Sequence, residues 1–137
     1  MRLILDTNVL VAALIAPRGL PNQLFKAFLN ERFTLITSDV QIEEFSSVTR
    51  YSAIRSRIHA PQAGRLLNAL RSLSVPLEKL RVESVSRDPH ADYLLAMAKA
   101  GDADYLVTGD KAGLLALGKY TKTQIVTARK MVAILKL

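Results

Sequence analysis

The chain has 137 residues, 50% of them hydrophobic, with a formal charge of +7 and no cysteine. That length suffices for one hydrophobic core, so we predict a single domain over residues 1–137. The absence of cysteine excludes disulfides, thiolate zinc sites and a thiol nucleophile. The longest apolar stretch, Val9 to Ala16, is far shorter than the roughly 20 residues of a membrane span, so we expect no membrane association and a cytoplasmic location.

Short apolar runs alternate with helical patterns along the chain. The predicted order is strand 2–6, helix 8–15, helix 22–31, strand 33–37, helix 39–49, two short helices broken near Pro61, strand 82–85, helix 90–100, strand 105–108, a short helix near 112–117, strand 124–127 and helix 128–135. This alternation predicts an α/β fold in three layers, with a central parallel sheet flanked by helices.

The positive charge is concentrated in the middle of the chain. Residues 49–81 contain 7 basic residues and 1 acidic residue, and the helical segment at about 50–74 carries most of them. A basic patch of this kind is typical of a protein that binds a polyanion such as nucleic acid, although it also suits a solvated helix face. We take Arg50, Arg55 and Arg57 as candidates for RNA binding.

Four carboxylates lie where predicted strands pass into helices. They are Asp6, Glu44, Asp92 and Asp110. Because the carboxyl ends of parallel strands meet at one edge of the sheet, we expect these side chains to converge there. Carboxylates brought together repel one another, and a hard divalent cation with oxygen ligands is the usual way to offset that repulsion.

Each candidate also has a purely structural interpretation. Asp6 suits the N-cap of the following helix, and Glu44 suits a solvated helix face. Asp88, followed by Pro89, reads as a structural N-cap. We assign the two histidines to the surface (His59) and to a helix first turn (His90), rather than to a ligand or base role.

Four motifs in order resemble the PIN-domain ribonucleases. They are Leu3-Ile-Leu-Asp-Thr-Asn8, then Ser38 with Glu44, then Arg87-Asp-Pro-His-Ala-Asp92, then Ala103-Asp-Tyr-Leu-Val-Thr-Gly-Asp110. With Gln124-Ile-Val-Thr127 after them, the last two are similar to the branch that includes VapC-like toxins of bacterial toxin-antitoxin pairs. The chain departs from that pattern at Ala112, where relatives often carry a further acid.

The resemblance implies an endoribonuclease that uses Mg²⁺ or Mn²⁺. It places catalytic roles on Asp6, Glu44, Asp92 and Asp110, with metal binding by Asp6, Asp92 and Asp110 and polar support from Asn8 and Thr108. It further implies an RNA substrate, a homodimer and an antitoxin partner. Two alternatives stay open. One is a PIN-like module that binds RNA or protein without cutting. The other is an enzyme acting on small phosphate esters, although Asn8 stands where such an enzyme would need a second acid.

Overall fold

Six strands form one sheet in the computed structural model, which describes residues 1–137. The strands are β1 (Arg2–Leu5), β2 (Thr34–Ser38), β3 (Val75–Leu77), β4 (Tyr105–Val107), β5 (Lys119–Tyr120) and β6 (Thr123–Val126). They lie in the order β3-β2-β1-β4-β6-β5. All neighbouring strands pair in parallel except β5, which runs antiparallel to β6 at one edge.

Eight helices cover the two faces of this sheet. They are α1 (Thr7–Ile15), α2 (Leu20–Leu29), α3 (Asp39–Val48), α4 (Ser52–Arg55), α5 (Ala60–Leu73), α6 (Pro89–Ala100), α7 (Leu114–Leu117) and α8 (Ala128–Leu135). None of them is both long and apolar enough to cross a membrane.

Successive strand residues point to opposite faces, which divides the hydrophobic core in two. Leu3 and Leu5 of β1 pack with side chains of α1, α2, α3, α5 and α8, whereas Ile4 packs with α6 and α7. Because both faces of the sheet are covered, the central strands β1 and β4 are almost continuously apolar rather than alternating with polar residues. The predicted three-layer α/β fold with a central, mostly parallel sheet is therefore confirmed.

The central strand β1 ends beside β2 and β4, which places three strand-to-helix junctions next to one another. The backbone N–H of Asp6 donates to the carbonyl of Val107 at 2.9 Å, so the chain after β1 stays paired with β4 for one more residue. The residues that follow each strand, among them Asp6 and Thr108, consequently share the carboxyl edge of the sheet.

The strand predicted at residues 82–85 is wrong. The chain between Leu77 and Asp88 has neither helix nor strand, and the third strand lies earlier, at Val75–Leu77, paired with β2. Val82 and Val85 are 49% and 41% exposed. They are three residues apart and so would face opposite sides of a strand, which means that they could not form one apolar face.

The helical segment also differs from its predicted shape. We predicted a break near Pro61, but the interruption lies at residues 56–59, and Pro61 sits in the first turn of α5. Proline is well tolerated there, because the first turn of a helix leaves its N–H groups without helical partners. The antiparallel edge strand β5 was not predicted at all.

Candidate active site

Asp6 is the most buried carboxylate of the candidate site. It is 3% exposed and caps α1, with its Oδ1 accepting from the backbone N–H of Asn8 at 3.2 Å. Burial alone would raise the pKa of Asp6, but hydrogen bonds from His90, Thr108 and the Asn8 N–H outweigh it and hold that pKa below its usual value. The group is therefore ionised at neutral pH. The Asn8 side chain is exposed and forms no hydrogen bond, so Asn8 contributes to the site through its backbone N–H, which donates to Asp6.

Thr108 joins Asp6 to the neighbouring strand end. Its hydroxyl donates to Oδ2 of Asp6 at 2.8 Å and accepts from the backbone N–H of Asp110 at 3.1 Å. Thr108 is only 1% exposed, so water cannot readily replace either bond. One buried hydroxyl thus couples the end of β1 to the turn that follows β4.

His90 lies between two of the predicted catalytic acids. Its Nε2 is 3.2 Å from Oδ1 of Asp6, and its Nδ1 is 3.6 Å from Oε2 of Glu44. An ionised carboxylate can only accept, so Nε2–H is the donor to Asp6. The hydrogen bond to Asp6 is the main reason that the pKa of His90 is raised; burial opposes the rise, and the charges of Asp6, Glu44 and Asp88 add to it.

The position of His90 follows from the start of α6. Asp88 is the N-cap, with its Oδ1 accepting from the His90 N–H at 3.0 Å, and Pro89 occupies the first helical position. This confirms the structural role predicted for Asp88. The surface or first-turn assignment of His90 was incomplete, because this first turn faces Asp6 and Glu44. The available signal was its position two residues before Asp92, in the same motif.

Asp92 is hydrogen-bonded to the loop that precedes its own helix. Its Oδ1 accepts from the backbone N–H groups of Val85 and Ser86, at 3.0 and 2.7 Å. The bond from the Ser86 N–H is the leading reason that the pKa of Asp92 lies below its usual value. Asp92 is buried, and its two hydrogen bonds anchor the loop that leads into α6.

Asp110 is engaged in a similar way with the chain that follows it. Its Oδ1 accepts from the N–H of Gly113 and its Oδ2 from the N–H of Leu114, both at 3.1 Å. These bonds close the turn that begins α7. An ideal Cβ built at Gly113 would run into the Asp110 carboxylate, so glycine permits this close approach.

The four predicted acids consequently do not converge as expected. Asp6 and Glu44 are linked through His90, and Asp6 and Asp110 are linked through Thr108, while Asp92 bonds to backbone. No three acidic or histidine side chains surround a common point as metal ligands would. The donor chemistry suits a hard cation, but the arrangement of Asp6, Asp92 and Asp110 does not form a metal site as it stands.

The three arginines proposed for RNA binding are exposed and take part in no ion pair. Arg50 and Arg55 border one small cavity of about 190 Å³ beside the N-terminus of α5. Their charges are therefore available to an anionic ligand.

A family model described as a PIN domain matches residues 2–112, which include all four acids and His90. The chain belongs to the PIN domain family. This PIN domain is also similar to an uncharacterized protein, MJ1680, of Methanocaldococcus jannaschii, with 26% identity over 117 residues that cover 81% of the chain and 72% of the relative. Membership of the family implies a nuclease-like fold, in which the carboxyl edge of the sheet carries the candidate site.

Proposed function

We propose that this PIN domain is an endoribonuclease that cleaves single-stranded RNA. One observation carries the proposal: the buried carboxylate of Asp6 lies at the junction of two central strands and is hydrogen-bonded by Thr108 and His90. A buried charge costs free energy, and folds keep such groups mainly where they serve function. The nuclease-like fold of the family supplies the class of reaction.

We propose Mg²⁺ or Mn²⁺ as the cofactor, with Asp6, Asp92 and Asp110 as its ligands and Glu44 as a further catalytic acid. The support is the chemistry of the donors, since carboxylate oxygens are the ligands that hard divalent cations prefer. The arrangement described above lacks a preformed cage. Metal binding would therefore require these carboxylates to come closer together than they lie in this arrangement.

The unpaired arginines support RNA as the substrate. Arg50, Arg55 and Arg57 are exposed in the basic segment and have no acidic partner. Exposed cations can hold the phosphate backbone that the acids alone would repel. We propose that these three side chains contact phosphates on either side of the cleaved bond.

The cellular role that we propose is that of a toxin, acting as a homodimer in the cytoplasm and blocked by an antitoxin protein. The support for this role is the sequence similarity of the last two motifs to VapC-like toxins. Induced expression should arrest growth, and Asp6→Asn should abolish the arrest. Growth arrest that is equally strong with Asp6→Asn would count against the toxin role.

The direct test is cleavage of a labelled single-stranded RNA by the purified protein. We expect cleavage with Mg²⁺ or Mn²⁺ and none in excess chelator, and loss of nearly all activity in Asp6→Asn. Asp102→Asn is the matched control, because Asp102 is an exposed acid that pairs with Lys122 away from Asp6. Cleavage that persists in Asp6→Asn overturns the nuclease proposal, and cleavage that persists in chelator overturns the metal requirement.

A second test addresses RNA binding by the arginines. Reversing Arg50, Arg55 and Arg57 to Glu should weaken binding and flatten the log-log dependence of affinity on salt by up to about 0.7 for each lost contact with a single strand. The control is reversal of Arg71, an exposed arginine in the last turn of α5. An unchanged slope would remove the three arginines from the RNA interface.

The alternative is a PIN-like module that binds RNA or protein without cutting. Two observations favour it: Ala112 stands where relatives often have an acid, and both oxygens of Asp110 are occupied in capping α7. Salt-dependent RNA binding without cleavage under any divalent cation would select this alternative.

A further inference from the structure

One side chain, His90, contributes to the lack of a preformed metal site around Asp6. The imidazole touches Asp6 through Nε2 and Glu44 through Nδ1, at 3.2 and 3.6 Å. The two carboxylates therefore lie on opposite sides of the ring. A divalent cation such as Mg²⁺ takes oxygen ligands at about 2.0–2.1 Å, so it cannot bind both carboxylates while the ring separates them.

Of the groups bonded to Asp6, His90 is the one free to leave. The Asn8 N–H belongs to the first turn of α1, and Thr108 is 1% exposed. The His90 side chain, by contrast, is 36% exposed and has solvent beside it. Its backbone is held by the Asp88 cap and by Pro89, so a rotation about the side-chain torsions is enough to move the ring.

We infer that the imidazole of His90 blocks the approach of a divalent cation to Asp6 from the side that faces Glu44, and that a cation reaches Asp6 on this side only after the ring swings out towards solvent. This inference rests on the metal requirement in the proposed function. His90 is then a positioning residue, and its hydrogen bond stabilises the negative charge of Asp6 in the metal-free protein. It competes with the metal and is not one of its ligands.

Because the ring and the cation compete for Asp6, removing the ring should raise the affinity for the cation. In the metal-free protein His90 stabilises Asp6 through a hydrogen bond to a charged group, and metal binding has to break that bond. Removing the ring removes this opposing contribution, so the cation should bind more tightly by about tenfold or more. If His90 were a ligand, its removal would weaken binding instead.

The test measures metal binding without RNA, at one fixed pH. Mn²⁺ affinity is measured by electron paramagnetic resonance for wild type, His90→Ala and His90→Gln, after melting curves in chelator establish that each variant is folded. We expect the tightest binding in His90→Ala and intermediate binding in His90→Gln, which retains one donor. His59→Ala, which alters the other histidine of the chain, is the matched control and should bind as wild type does.

A second measurement reads the position of the ring directly. The chain has two histidines, so its imidazole proton resonances can be assigned with His59→Ala. Titration with Mg²⁺ should shift the His90 resonances and leave those of His59 in place. Equal or weaker Mn²⁺ binding in His90→Ala, absence of binding in every variant, or His90 resonances that do not respond to bound Mg²⁺ would each overturn the inference. RNA cleavage is scored separately, so the nuclease proposal can survive that result.

Discussion

Replacing Thr108 by valine should test whether the buried hydroxyl holds the candidate site together. Valine keeps the branched shape of threonine but removes its hydroxyl, so the change deletes two hydrogen bonds and creates little cavity. The bonds lost are the donation to Oδ2 of Asp6 at 2.8 Å and the acceptance from the Asp110 N–H at 3.1 Å. Asp6 is 3% exposed, so one oxygen of a buried carboxylate loses its partner.

The expected loss of stability follows from those two bonds. A hydrogen bond to a charged group contributes about 1.5–3 kcal/mol and a neutral one about 0.5–1.5 kcal/mol, which together give a cost of about 2–4.5 kcal/mol. For a chain of 137 residues, 1 kcal/mol corresponds to about 3–4 °C in the melting temperature. Thr108→Val should therefore melt about 6–18 °C below wild type in chelator.

Thr108→Ser supplies the matched control for this prediction. Serine retains the hydroxyl and loses one buried methyl group, which costs about 1 kcal/mol. The serine variant should thus be more stable than the valine variant, although it fills the core less well. In an Asp6→Asn background the cost of Thr108→Val should shrink, because the charged partner is gone. A valine variant that melts within about 3 °C of wild type, or above the serine variant, would refute the reasoning.

Three further predictions concern groups around the site and at the far edge of the sheet. Asp88→Ala removes the N-cap of α6 and should cost about 1 kcal/mol in thermal unfolding, whereas Asp88→Asn should cost little. Gly113→Ala should displace the Asp110 carboxylate and so lower the rate of RNA cleavage, although no acidic residue is changed. A wild-type cleavage rate in this variant would exclude a catalytic role for Asp110 in its observed position. Asp104 accepts from the Arg2 N–H, and this bond leads the groups that hold its pKa below the usual value. The contribution of ionised Asp104 to the free energy of unfolding is present above the unfolded pKa of about 3.9 and is lost as pH falls through the lower folded pKa. The stability difference between wild type and Asp104→Asn should therefore narrow below about pH 4.

Local signals in the chain were enough to predict most of the fold. The Asp88-Pro89 pair marks the start of α6, and the apolar runs mark the strands β1, β2, β4 and β6. These features depend on neighbouring residues, through capping and through the spacing of apolar side chains. The prediction was wrong at residues 82–85, where two exposed valines flank polar residues and the segment pairs with no strand.

The candidate site was only partly predictable for a different reason. The strand order places Asp6 and Thr108 side by side, and parallel pairing alone implies that their strand ends meet. Which atoms then touch depends on the rotation of each helix and on the path of each loop. The chain order did not indicate that His90 would separate Asp6 from Glu44.

By itself, the sequence determined the alternation of strands and helices and the position of acids at strand ends, because both depend on residues only a few positions apart. The tertiary structure alone decided that the His90 ring lies against Asp6 and that the Thr108 hydroxyl donates to the same carboxylate. Contacts of about 3 Å between residues far apart in the chain, such as Thr108 and Asp6, which are 102 positions apart, are set by how helices pack on the sheet. That packing is a property of the whole core, and no short stretch of sequence contains it.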